Sequence, residues 1–261
     1  ARAEKGLHSI LLVPEQFTSS TEARIYRELG DALSGMVESF SFTSLAERIL
    51  AAEGGAAVQT LTDAGRAVLV RRALEELQDN VHYYYRHRRS AAFCQMAAQT
   101  IDELKSAGLS GAQLAQLAPD CGSESGRLAE LALIFQGYET LLAGTGMDPS
   151  DRLELAAERL ETALSRGELP EFLREREVFV DEFDTFNAPK KRLMGAMLTA
   201  LPAVTVALCD DGAPMEQGEL GLFSGAKQVA AQLRQLARKI GAQVAAPELL
   251  RRDLRHKDAP G

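Results

Sequence analysis

Val178-Phe179-Val180-Asp181-Glu182-Phe183-Asp184-Thr185-Phe186-Asn187 is the stretch on which the fold turns. Glu177 to Val180 reads as a buried strand. It delivers two acids at its C-terminal edge, where open α/β sheets place their ligands. In nucleotide-hydrolysing sheets such an Asp holds Mg²⁺ directly or through water, and the next Glu orients the attacking water. The same residues admit a plainer reading, a strand followed by an acidic turn in which Asp184 or Asn187 caps the next helix.

Outward from that strand the chain alternates. Ser9 to Val13 is another apolar run with Pro14 behind it, as in a buried parallel strand. Thr18 to Leu29 reads as a helix stopped by Gly30, and Met36 to Ser39 as a short strand. Phe42 to Ala52 and Thr62 to Leu77 read as helices. From Ser90 to Leu164 the pattern is helical throughout, in segments Ala91–Ala107, Ser110–Leu117, Ser125–Leu142 and Pro149–Leu164. After Glu177–Val180 come a helix from Pro189 to Ala200, a strand from Ala203 to Leu208 and a helix from Ser224 to Ile240. Gln243 to Ala245 offers one more strand. The order β–α–β–α, all-α, β–α–β–α implies an α/β parallel sheet with helices on both faces and an all-helical insertion. We place the insertion at residues 86–169, between sheet segments 1–85 and 170–261.

The 261 residues carry 29 basic and 37 acidic side chains, a net charge of −8, and are 46% hydrophobic. That composition excludes a disordered or fibrous chain. No apolar run approaches the ~18–20 residues of a membrane span, and no secretory signal opens the chain. Cys94, Cys121 and Cys209 are far apart, give no metal site, and read as buried small hydrophobes in a reducing cytoplasm. The acidic balance opposes general nucleic-acid binding but leaves room for a local basic track. Ala1 to Gly6, with no initiator Met, reads like the end of a helix entering a strand, so a fragment of a longer chain is expected.

Three further segments carry chemistry. Pro14, Gln16, Phe17 and Thr18 form a strand-to-helix loop whose backbone N–H groups suit a phosphate. Ser39, Phe40 and Ser41 lead into a helix cap rich in hydroxyls and Phe, suited to phosphate contact and base stacking, or simply to a capped helix with core Phe residues. Val81 to Arg89 (VHYYYRHRR) is the basic, aromatic run; Arg86 and Arg88 are its candidates for single-strand contact, the alternative being an exposed linker with its tyrosines folded back onto the core. Lys190-Lys191-Arg192 reads as the solvated face of its helix.

Taken in order, LLVPEQFT, VESFSFTSLAERIL, VFVDEFDTFN and VTVALCDDG resemble the first RecA-like (P-loop NTPase-like) domain of superfamily 1, UvrD-like helicases. The second segment is similar to their strand–TFHSL–helix DNA-contact motif, the third to their VDEFQDTN Walker B motif, and the fourth to their GDxxQ strand. LLVPEQFT…TE and ELGLFSGAKQVAAQLRQLARKIGAQV look most like the B subunit (AddB type) of bacterial ATP-dependent helicase/nucleases. That resemblance spans nearly the whole chain. It implies a cytoplasmic heterodimer with an A-type subunit, resecting double-strand DNA ends for recombinational repair and gripping single-stranded DNA. It also implies ATP and Mg²⁺, with Asp181 at the metal-binding position and Glu182 at the water-orienting one. An iron–sulfur cluster is implied only for a C-terminal nuclease region outside this chain.

The departures are specific. Nothing matches G-x-x-x-x-G-K-[ST]; Gly122 to Arg127 and Gly221 to Lys227 have the wrong spacing, and the loop is expected upstream of Ala1. The GDxxQ position reads Cys209-Asp210-Asp211-Gly212-Ala213, without an evident phosphate-sensing Gln. Asp181-Glu182 keeps both acids, a pair from which such B subunits often depart. An alternative therefore stands beside the DNA-gripping subunit: a structural module that docks a partner nuclease/helicase subunit, with no ATP or DNA activity of its own.

Overall fold

The structure, a computed structural model, describes residues 3–55, 57, 59–211 and 221–250. Its sheet holds four parallel strands: β1 (Ser9–Leu12), β2 (Val37–Phe40), β3 (Glu177–Val180) and β4 (Ala203–Val206), in the order β2-β1-β3-β4. Ser9 lies opposite both Val37 and Glu177, and Glu177 opposite Ala203. Parallel neighbours need crossovers, and here these are helical. Helix α1 (Thr18–Ser34) joins β1 to β2, and α8 (Ala188–Ala200) joins β3 to β4. Between β2 and β3 run α2 (Phe42–Glu53), α3 (Asp63–Glu76), α4 (Ala91–Ser106), α5 (Gly111–Leu117), α6 (Ser125–Ala143) and α7 (Pro149–Ser165); α9 (Ser224–Lys239) follows β4. This is the α/β, RecA-like arrangement expected from the alternation.

Strand periodicity decides what is buried. Ile10, Leu12, Val178 and Val180 point to one face and are fully buried with residues of α2, α7 and α8. Each such burial contributes about 1.5–3 kcal/mol. Leu11 and Phe179 point to the other face and are only half-buried. There α1 packs along β2, and its Ser20, Thr21 and Arg24 line a small cavity together with Leu11 and Val13.

The apolar interior falls into two clusters. One unites the sheet with α2, α7, α8 and Val229 of α9. The other unites Leu69, Val70 and Leu74 of α3 with Cys94 and Ile101 of α4, Leu114 of α5, and Phe135 and Tyr138 of α6. The two connections between them run side by side. Leu61 N–H donates to Met147 O (3.0 Å), and Met147 N–H to Gln59 O (3.1 Å).

Three expectations are corrected. Gly30 breaks α1, at φ 71°, but the chain resumes helical turns to Ser34; one left-handed residue interrupts the ladder without reversing the chain. Residues 243–245 form no strand. They follow Gly241, and no described strand edge takes them up. Only Cys94 is buried; Cys121 and Cys209 are exposed, one in a 3-10 segment and the other beyond the end of β4. Gly212, Ala213 and the charged end Arg251 to Asp258 lie outside the described residues.

Candidate functional site

The sheet ladder runs one residue past β1, β3 and β4. Val13 N–H donates to Phe40 O (2.9 Å), Asp181 N–H to Leu12 O (3.0 Å), and Ala207 N–H to Val180 O (2.8 Å). Four loops therefore leave the same C-terminal edge in register: 13–17, 41–43, 181–187 and 207–211. Together with Phe223 and Ala226 at the start of α9 they line a cleft of about 1480 Å³. That exceeds the ~300–1,000 Å³ typical of a small-molecule pocket.

One wall is polar. Pro14 leads into a 3-10 turn, Glu15–Phe17, before α1 begins. Ser41 is the N-cap of α2: its Oγ accepts from Ser44 N–H (3.1 Å) and its own N–H donates to Ser44 Oγ (2.8 Å). This reciprocal cap satisfies two otherwise orphan amides and fixes the loop. Gln16, Ser41 and Thr43 all line the cleft.

The acidic loop sits at the centre. Asp181 Oδ1 accepts from Glu182 N–H (2.9 Å). Glu182 is held at φ 64°, a left-handed conformation uncommon for a residue with a Cβ. Both acids line the main cleft and the smaller cavity under α1. Among the described residues no group of three or more His, Cys, Asp or Glu is disposed to hold a metal ion. This chain also holds no glycine-rich phosphate loop. Asp181 and Glu182 thus do not by themselves fit a Mg²⁺-nucleotide.

The cleft also holds an aromatic cluster with a cation on it. Phe42, Phe183 and Phe186 pack edge-on and tilted, at centroid distances of 5.2, 5.8 and 5.4 Å. Lys190 Nζ lies 5.7 Å from the Phe42 ring and 5.6 Å from the Phe183 ring. The geometry favours a cation held over ring faces. Asn187 sets this up: its Oδ1 accepts from Lys190 N–H (3.1 Å), so α8 starts there and places Lys190 in its first turn.

Comparison with known proteins adds the family. The sequence model of the family described as "ADDB, N-terminal" matches residues 1–260. The chain belongs to that family. Curated relatives, each named as the B subunit of an ATP-dependent helicase/deoxyribonuclease, include that of Desulforudis audaxviator, 33% identical over 254 residues, and that of Moorella thermoacetica, 32% identical over 253 residues. Each match covers 94% of this chain and 21% of the relative. The protein of Anoxybacillus flavithermus is 29% identical over 269 residues, covering 98% of this chain and 22% of its own length. The chain thus spans about a fifth of the relatives it matches.

In this ADDB N-terminal chain the expected site residues do not all converge. Pro14, Gln16, Phe17, Ser41, Asp181 and Glu182 line the cleft. Thr18 donates its hydroxyl to Glu15 O (3.0 Å), closing the turn before α1. Ser39 Oγ donates to Glu22 Oε1 (3.1 Å), and Phe40 packs on Phe172 at 6.4 Å. Arg86 and Arg88 stand outside the cleft, beyond the N-terminal end of α4. The sequence reading placed Lys190 on a solvated helix face and passed over its seat on Phe42 and Phe183; Phe42 itself is the core Phe of a capped helix, one of the two readings that segment allowed. The signal was the N-cap Asn187 with Pro189 at the first turn, which fixes which way Lys190 faces. Its neighbour Arg192 instead pairs with Glu154 and Glu161.

Proposed function

We propose that this chain is the helicase-like N-terminal part of the B subunit of an ATP-dependent helicase/deoxyribonuclease, and that its cleft grips single-stranded DNA while the complex resects double-strand ends. The observation that supports it best is the gathering of polar groups and a fixed cation in one cleft at the sheet edge: Gln16, Ser41 and Thr43 with Lys190 held over Phe42 and Phe183. Hydroxyls, amides and one fixed cation suit a phosphate backbone. Phe17, 39% exposed on the same rim, is the aromatic a base would stack on. Phe42 and Phe183 are buried and serve as the support for Lys190.

The partner is an A-type helicase/nuclease subunit. ATP and Mg²⁺ belong to the whole complex; here Asp181 and Glu182 contribute the shape of the cleft.

The test uses the B subunit assembled with its A-type partner. Oligo(dT) binding is measured by fluorescence anisotropy for wild type and for Phe17→Ala with Lys190→Ala. Loss of one stacked base costs about 1–3 kcal/mol, so affinity falls by about 5- to 150-fold. Unchanged binding would sink the cleft as a single-strand site. Unchanged DNA binding with lost subunit assembly would favour the docking-module alternative.

A further inference from the structure

The run His82 to Arg89 lies apart from the cleft. It precedes α4, whose 16 residues span about 24 Å at 1.5 Å per residue. The far end of α4 is the end that meets the sheet side. Lys105 there bonds Asp148 and Asp151, and a Cβ on Gly108 would come within 3.0 Å of Ala188 Cβ at the start of α8. The basic run is therefore about one α4 length from the helix that carries Lys190.

It is not a loose linker. Glu130 of α6, 8% exposed, accepts from three successive backbone amides: His82 (2.9 Å), Tyr83 (2.8 Å) and Tyr84 (3.3 Å). Such charge-assisted bonds are among the strong ones. The aromatic rings are also engaged. Tyr84 stacks on Phe93 at 5.6 Å. Arg88 lies 4.0 Å over the Tyr85 ring and donates to Tyr85 O (3.2 Å). Arg127 lies 5.4 Å over Tyr83. Arg86 and Arg89 are exposed and form no ion pair among the described residues.

A pre-set cationic ridge on a chain of net charge −8 suits a polyanion. Tyr84 and Tyr85 are occupied by Phe93 and Arg88, and Arg127 lies over half-exposed Tyr83, so the run presents outward chiefly the exposed guanidinium groups of Arg86 and Arg89. A duplex offers a surface of phosphates with its bases stacked inside, and phosphate contacts position a protein without reading sequence. We propose that this ridge binds the phosphodiester backbone of duplex DNA through Arg86, Arg88 and Arg89. Glu130 is the positioning residue that holds the ridge in shape. The inference rests on the B-subunit reading for the presence of DNA, but not on the cleft.

The experiment again uses the assembled heterodimer, with a blunt, hairpin-closed duplex and with oligo(dT), each titrated over a series of salt concentrations. Arg86→Ala with Arg89→Ala should reduce the slope of log K against log salt on the duplex by about 2, since each phosphate contact contributes about 0.9. Arg86→Lys with Arg89→Lys should restore that slope. Glu130→Gln should weaken duplex binding several-fold and leave oligo(dT) binding unchanged. The cleft variant Phe17→Ala with Lys190→Ala should leave the duplex slope unchanged, which separates failure of the ridge from failure of the cleft. An unchanged slope in the double alanine variant overturns the proposal. So does an equal loss on single strand and duplex, or unchanged DNA binding with loss of the A-type partner, which would make the ridge a protein-docking surface.

Discussion

Glu182 pays a conformational cost that its neighbours do not. At φ 64° its Cβ crowds the following carbonyl, a strain of about 1–2 kcal/mol for an L-residue. Asp181 Oδ1 holds the Glu182 N–H in place, so the strain is fixed at the cleft. Glycine ordinarily destabilises relative to alanine, but here alanine keeps the strain and glycine relieves it. Glu182→Gly should therefore be more stable than Glu182→Ala by about 1 kcal/mol in urea denaturation. A less stable glycine variant would show that the turn carries no strain. The position of the acid pair at the sheet edge was legible in the sequence, because an apolar strand running into Asp-Glu marks a strand end, although the pattern is common and does not by itself give the pair a role. Lys190 was not. Reading Lys190, Lys191 and Arg192 as one solvated face overlooks that adjacent helical residues point about 100° apart. One therefore reaches the cleft while another pairs with Glu154 and Glu161.

At the scale of elements, strand and helix positions were legible almost throughout. Ile10, Leu12, Val178 and Val180 alternate with less buried residues, and the caps Ser41, Thr62, Ser90, Ser110 and Asn187 mark five helix starts. What periodicity could not show is which element each helix packs against. Helix α7 reads like its helical neighbours, yet Leu153, Ala156, Ala157 and Leu160 pack with the sheet-side cluster. Helix α6 illustrates the chemistry that comes from such packing. Tyr138, fully buried, donates its hydroxyl to Asp148 Oδ1 (2.6 Å). Burial, then the hydrogen bond and charge of Asp148, push its pKa well above the ordinary tyrosine value of 10.0. Burial likewise raises the Cys94 thiol above 9.0. Both groups bind their protons more tightly folded than unfolded, so stability is full below these values and falls as pH rises past them. Thermal melts should show a steady loss of stability starting near pH 9 and steepening above 10. Tyr138→Phe should lower stability at pH 7 by about 1–3 kcal/mol, because buried Asp148 loses a donor, and should flatten the alkaline decline. A decline equally steep in the variant would place its origin elsewhere.

At the scale of the whole molecule, two apolar clusters have to be coupled to one another. The contact between them is narrow in chain terms: the paired connections at Gln59–Leu61 and Met147, and a buried ionic knot. Asp148 caps α7 and is fully buried. It faces Lys105 of α4 at 2.8 Å, Arg66 of α3 at 3.4 Å and the Tyr138 hydroxyl of α6. Lys105 also reaches Asp151 at 2.7 Å. Burial alone would lower the Lys105 pKa, but its bonds to Asp148 and Asp151 outweigh that and raise it, so it stays charged. Every cation in the knot belongs to a helix of the helical cluster, and both of these acids lie at the start of a helix of the sheet-side cluster. The knot is thus the electrostatic coupling between the two. Removing one partner of a buried pair costs about 3–5 kcal/mol, because the remaining charge is left uncompensated. Lys105→Met keeps the apolar stem and deletes the charge, so the loss should fall on the coupling and not on either apolar cluster. Hydrogen exchange should then show amides of α3, α4 and α6 opening at a lower free energy than those of β1 and β3, whereas in the wild-type chain both sets should open together. If both sets still open together in the Lys105→Met variant, the clusters are coupled through the close approach of α4 to α7 and α8, and the knot only sets the register of that junction.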